Sequence, residues 1–127
     1  MRQLLLDTHV ALWAFASPSL LKPEVLNALI DPRNTVMVSA ISVWEVEIKR
    51  ALGKLDAPDG FAALCISRGF DALDVTFRHA EVAGALPAHH SDPFDRMLIG
   101  QAITEDFELV TTDRMMSAYE VRVVAAA

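Results

Sequence analysis

The sequence predicts an α/β fold built on a mostly parallel sheet. Two patterns carry this reading: short apolar, β-branched runs recur along the chain, and segments of helical spacing separate them. Composition is a third observation. The chain has 127 residues, 53% hydrophobic and 22% charged, with only five Gly and six Pro. That is enough apolar side chain for a core and too little polarity for a disordered chain. The length predicts one domain over residues 1–127, since domains run to roughly 100–200 residues each.

Leu4-Leu5-Leu6 reads as the first strand and ends at Asp7-Thr8, after which His9 to Ala16 is helix-like. Pro18 and Pro23 punctuate the chain before a second helix, Glu24 to Ile30, which Asp31-Pro32 stops. Val36-Met37-Val38-Ser39 is a buried strand by its branched side chains. Ile41, Trp44, Ile48 and Leu52 recur at three- and four-residue spacing, one apolar helix face closed by Gly53. Trp13, Phe15 and Trp44 are expected in the core. Pro58 to Gly69 is expected to be helical, with a short strand at Ala72 to Val75 and a helix from Arg78 to Leu86 that Pro87 breaks. Asp92 to Glu105 is the clearest helix, and Leu109-Val110-Thr111 and Val121 to Val124 supply the last strands.

The single cysteine, Cys65, sits among apolar neighbours and reads as a buried, inert thiol. The N-terminus enters the first strand without a signal-like apolar stretch, and no run approaches the ~20 apolar residues of a membrane helix. A cytoplasmic protein without membrane association is the expectation. Eleven Lys and Arg against seventeen Asp and Glu give a net charge of −6, which excludes a globally basic protein that coats nucleic acid.

In an open parallel sheet, ligands bind beyond the carboxyl ends of the strands. Asp7 directly follows the first strand, and Asp113 follows Leu109 to Thr111 after one more threonine. Glu45 lies on the helix leaving the second strand, in a polar line with Ser42 and Lys49. Asp95 lies in the first turn of the helix opened by Asp92-Pro93. Simpler roles exist for each. Asp7 or Thr8, Asp92 with Asp95, and Asp113 can cap helices, and Glu45 with Lys49 makes an i,i+4 pair. Capping does not explain Glu45, which lies too deep in its helix. Four converging carboxylates need a compensating cation, and an all-oxygen site suits one or two Mg²⁺ or Mn²⁺ ions rather than Zn²⁺. Such ions activate water and stabilise in-line displacement at phosphorus, so the chemistry indicated is phosphodiester hydrolysis.

The same residues resemble a known family. The stretches Leu4 to Trp13, Ser39 to Lys49 with Gly53-Lys54-Leu55, His90 to Ala102, and Leu109 to Asp113 resemble the four blocks of PIN-domain ribonucleases, particularly the VapC-like toxins of bacterial toxin–antitoxin pairs. They occur in the family's order and span nearly the whole chain. Gly100 departs from the pattern, which usually has Ala there. The resemblance implies a three-layer α/β/α fold with a short, mostly parallel central sheet. It also implies metal-binding acids at Asp7, Glu45, Asp95 and Asp113, with Thr8 or Thr112 as the small hydroxyl near the metal. Asp92 and Lys49 match as well and are secondary candidates. The implied activity is metal-dependent endoribonucleolytic cleavage of single-stranded or looped RNA. The implied partners are a second copy of the chain and a small antitoxin covering the cleft.

An RNA substrate must meet positive charge, and Lys49, Arg50, Lys54, Arg96 and Arg114 lie near the acids in sequence. Two alternatives are a phosphoacceptor receiver-like, Mg²⁺-binding signalling domain and a catalytically inactive PIN-like binding module. The receiver would need paired acids after the first strand and a Lys after the last, and neither is present. A metallohydrolase using His89, His90 and Asp92 is set aside because adjacent histidines point apart and no His-x-x-x-His pair completes the site. That histidine pair reads as surface loop.

Overall fold

The computed structural model describes residues 1–127. Its strands are β1 (Gln3–Leu6), β2 (Thr35–Ser39), β3 (Asp71–Leu73), β4 (Glu108–Thr111) and β5 (Val123–Ala125). They form one sheet in the order β3-β2-β1-β4-β5, with every pairing parallel. Parallel neighbours require crossover connections, which is why helices follow β1, β2 and β3, while the 3-10 turn Arg114–Ala118 lies between β4 and β5. The helices are α1 (Thr8–Ala16), α2 (Pro23–Ile30), α3 (Ala40–Ala51), α4 (Phe61–Ser67), α5 (Phe77–Ala85) and α6 (Pro93–Glu105).

The two-residue alternation of the strands divides the core. Leu4, Leu6, Val36, Val38 and Val110 pack on one side of the sheet with Val10 of α1, Val25 of α2, Val46 of α3 and Phe61 of α4. Leu5 and Leu109 pack on the other side with Leu98, Ile99 and Ala102 of α6, and with Met116 and Tyr119. Both faces are covered, so the molecule has the expected α/β/α layers. Cys65 is buried, and burial pushes its thiol up to about 11.

The sheet order puts β1 at its centre, and the chain changes direction across the sheet between β1 and β4. That junction is the topological switch point, where the two strand ends leave a crevice. A receiver has the order 2-1-3-4-5, so the observed order overturns that alternative.

The elements differ from the sequence expectation in four places. Gly60, at φ 69°, precedes the first residue of α4, so this helix starts at Phe61 rather than Pro58. Strand β3 begins one residue earlier than expected and ends at Leu73. Strand β5 is shifted toward the C-terminus, and Ala126 beyond it is fully buried. The largest difference is the facing of α3. Its buried residues are Ser42, Glu45 and Val46, whereas Trp44 is 58% and Leu52 62% exposed. Trp44 is therefore not a core residue; it meets Phe94 edge to face on the surface. Trp13 and Phe15 are partly buried against the core.

Candidate functional site

The four acids come from four elements and meet at the switch point. Asp7 immediately follows β1 and is the N-cap of α1, accepting the His9 amide at 3.3 Å. Its other oxygen accepts a 2.5 Å hydrogen bond from Thr111 Oγ1 at the end of β4. The Asp113 amide donates to that same Thr111 oxygen at 3.0 Å. Thr111 thus ties the end of β1 to the turn after β4. Asp7 is only 4% exposed. Burial raises its carboxyl above the ordinary range, against the opposing hydrogen bonds from Thr111 and His9.

Glu45 is equally buried, at 4% exposure, and both of its oxygens are partnered. Thr8 Oγ1 donates to Oε1 at 2.7 Å, and Lys49 Nζ, one helical turn on, donates to Oε2 at 2.6 Å. Ser42 Oγ lies 2.9 Å from Thr8 Oγ1. This explains why α3 turns its polar line inward. A buried carboxylate needs donors; Thr8 stands beside the end of β1, and Lys49 comes from α3 itself. The Glu45 carboxylate in turn raises the Lys49 ammonium above its ordinary value.

Asp95 lies in the first turn of α6. The Asp92 side chain caps that helix, taking the amides of Phe94 and Asp95 at 2.8 and 3.2 Å. The reciprocal half of a capping box is not made, because the Asp92 amide donates to His90 Nδ1 at 3.1 Å and Asp95 turns to the other ring nitrogen. His90 Nε2 lies 3.1 Å from Asp95 Oδ2 and 2.8 Å from Asp113 Oδ2. Asp113 also accepts the Met115 amide at 2.9 Å, capping the short 3-10 turn Arg114–Ala118. Burial, then the charges of Asp7 and Asp92, push the Asp95 carboxyl up to about 7, with Glu45 adding to the effect and His90 opposing it.

His90 and Thr111 are the two residues that the sequence reading does not select. His90 is not surface loop: its side chain is only 12% exposed, between two of the acids. His89 does point the other way, edge-on to the Tyr119 ring at 5.1 Å. The hydroxyl beside the acids at the end of β4 belongs to Thr111, whereas Thr112 is exposed. The signal in the sequence was slight: Thr111 ends the apolar run two residues before Asp113, and His90 precedes the helix-capping Asp92 by two residues.

The basic residues divide. Arg96 donates to four backbone carbonyls, of Ala83, Leu86, Pro87 and His90. Arg50 pairs with Asp59 and Glu47 and donates to the Ala57 carbonyl. Both therefore anchor their own loops rather than offering free charge to a substrate. Lys54 and Arg114 are exposed.

His90, Asp95 and Asp113 offer ligand atoms within 4.8 Å of one another. Together with the deeper Asp7 and Glu45, the donor set is rich in hard carboxylate oxygens. One of them, Asp95, is held far from its ordinary ionisation by burial first and by the charges of Asp7 and Asp92 second. A hard divalent cation fits such a set and would relieve that repulsion. A cavity of about 640 Å³ lies elsewhere. It is lined by Phe15, Leu26, Ile30, Val36, Arg68 and Phe70, beside the start of β2, and contains none of the four acids.

Comparison with known proteins agrees with the fold. A ribonuclease VapC22 from Mycobacterium tuberculosis is 32% identical over 124 residues, covering 94% of this chain and 93% of that protein. The crystal structure of a DNA-bound VapBC2 from Rickettsia felis superposes with a TM-score of 0.75 at 17% identity, covering 98% of this chain and 99% of that chain. A DNA-bound VapBC from Salmonella typhimurium gives 0.73 at 20% identity, covering 98% of each chain. A toxin–antitoxin complex from Klebsiella pneumoniae gives 0.65 at 22% identity, covering 95% of each. The family model for the PIN domain matches residues 4–121. The parallel sheet, the acids at its switch point and these matches agree: the chain belongs to the PIN-domain family.

Proposed function

We propose that this chain is a metal-dependent endoribonuclease that acts as the toxin of a toxin–antitoxin pair. The reading rests above all on one observation: buried or half-buried carboxylates from β1's end, α3, α6 and β4's end converge at the sheet's switch point. The kinship with a ribonuclease and with structures of toxin–antitoxin complexes supports the same reading.

Asp7, Glu45, Asp95 and Asp113 would hold one or two Mg²⁺ or Mn²⁺ ions. When bound, such an ion lowers the pKa of water and offsets charge developing on a phosphate. The chain's own residues supply positioning. Thr8 and Lys49 fix both oxygens of Glu45, and Thr111 fixes one oxygen of Asp7. Helices α1, α3 and α6 all begin at this edge, so their positive dipole ends favour an approaching phosphate. The Lys49 ammonium lies beside them, with Lys54 and Arg114 as the exposed cations available to an RNA backbone. The partners proposed are RNA, a small antitoxin over the acid edge and a second copy of the chain.

The test is cleavage of a panel of structured RNAs with Mg²⁺, Mn²⁺ or EDTA, by wild type, Asp7→Asn and Asp95→Asn. Cleavage should require the ion and both acids. Activity that survives chelation or either substitution overturns the reading.

A further inference from the structure

The histidine between Asp95 and Asp113 has a fixed tautomer. Its Nδ1 accepts the Asp92 amide proton at 3.1 Å, so the ring proton resides on Nε2. That N–H faces two carboxylate oxygens at 2.8 and 3.1 Å. A nitrogen carrying a proton has no lone pair for a metal, so His90 as it stands is a hydrogen-bond donor and not a ligand. The two acids it bridges are among the residues that would hold a cation. The ion and the N–H cannot share that space, and the N–H dipole would repel the ion.

The backbone of His90 is held from two further sides. Its amide donates to the Tyr119 hydroxyl at 2.7 Å, and its carbonyl accepts from Arg96 at 3.2 Å. The Tyr119 hydroxyl and Arg96 also both donate to Pro87. The loop is therefore pinned, and the side-chain torsions are what remain free to move the ring. We propose that His90 is a built-in occupant of the space between Asp95 and Asp113, and that a divalent ion binding across that pair must first turn the imidazole out. The inference rests on the reading of these acids as a metal site. Its consequence is a raised threshold for the ion: the imidazole offsets carboxylate repulsion while no metal is present, and competes with metal when it arrives.

Mn²⁺ binding to the full chain, followed by electron paramagnetic resonance and calorimetry, tests this. His90→Ala should bind Mn²⁺ about tenfold more tightly than wild type, the competition of one charge-assisted hydrogen bond having been removed. Its Tm should also rise further on adding Mn²⁺. His90→Gln, which can still donate to both carboxylates, should stay close to wild type. In the wild-type protein the His90 ring resonances should move on Mg²⁺ addition with the same midpoint as binding. Equal or weaker Mn²⁺ binding by folded His90→Ala overturns the proposal, as do ring resonances unmoved at saturating Mg²⁺. Asp95→Asn keeps the two readings apart. Loss of Mn²⁺ binding with or without His90 supports the metal site, whereas unchanged binding overturns that site and not merely the role of His90.

Discussion

The two halves of the acid cluster are built differently. Asp7 and Glu45 are almost wholly buried, and their partners are hydroxyls, a backbone amide and one lysine, all on the strand ends or on helices leaving them. Asp95 and Asp113 are more exposed, and a single imidazole from a loop spans them. The first half is part of the folded core's edge and cannot change without disturbing the sheet. The second half depends on a side chain that can leave. Rigidity in one half and exchange in the other is an arrangement that can hold its shape before an ion arrives and still admit one.

The largest effect is expected at the buried half. Asp7→Asn and Glu45→Gln should each lower RNA cleavage by more than the roughly 10–100-fold typical of an outer-shell partner. Steady-state rates at saturating Mg²⁺, on variants shown to be folded by circular dichroism, would measure this. A loss under tenfold would place the chemistry in the other half.

Thr111→Val sharpens the same contrast one layer out. It leaves Asp7 without its 2.5 Å donor and the Asp113 amide without its acceptor. Cleavage should fall about 10–100-fold, and urea unfolding should show a stability loss of about 1–3 kcal/mol. A variant that cleaves normally would mean that the link between the two strand ends is dispensable.

Asp95 should betray itself through pH. The Asp95 carboxyl is raised to about 7 in the folded chain from 3.8, so between those values the native state binds a proton that the unfolded chain does not. Stability of the metal-free protein therefore rises as pH falls through that window, by at most about 1.4 kcal/mol per pH unit from this one group. Asp7, also raised, acts in the same direction. Thermal melts in EDTA at pH 7.5 and 5.5 should show the gain, and Asp95→Asn should flatten it. An equal gain in the variant would assign the effect to other groups.

The smallest effect lies away from the acids. A Cβ at Gly100 would stand 3.0 Å from the backbone nitrogen and the Cβ of Ala83, where α5 lies against α6. Gly100→Ala gains up to about 1 kcal/mol of helix propensity but forces two helix backbones apart, at about 1–3 kcal/mol. A net loss near 1 kcal/mol is expected, with cleavage unaffected. A stabilised variant would show that α5 gives way easily.

Much of this was legible in the chain. The alternation of β-branched runs with helical segments follows from side-chain periodicity, a local property, and so did the parallel sheet. Strand ends in such a sheet share one edge, which is why the sequence alone points to Asp7 and Asp113. Glu45 stood out because it is too deep in its helix to cap it. The facing of α3 was not legible. Trp44 and Leu52 form as good an apolar row as many buried ones, yet the bond from Thr8 to Glu45 turns the adjacent line of Ser42, Glu45 and Val46 inward. Arg96 and Arg50 looked like cations for a substrate, yet the carbonyls and acids that occupy them lie seven or more residues away, apart from Glu47 and His90.

By itself the sequence determined the α/β class, the order of elements and the acids that reach one edge, because periodicity and strand ends are written residue by residue. Only the tertiary structure decided which hydroxyl joins Asp7 to the turn after β4, and that His90 rather than open solvent lies between Asp95 and Asp113. Those are relations between residues 104 and 23 positions apart for the carboxylates that Thr111 and His90 contact most closely. No local pattern encodes such distances; they exist only once the sheet has closed.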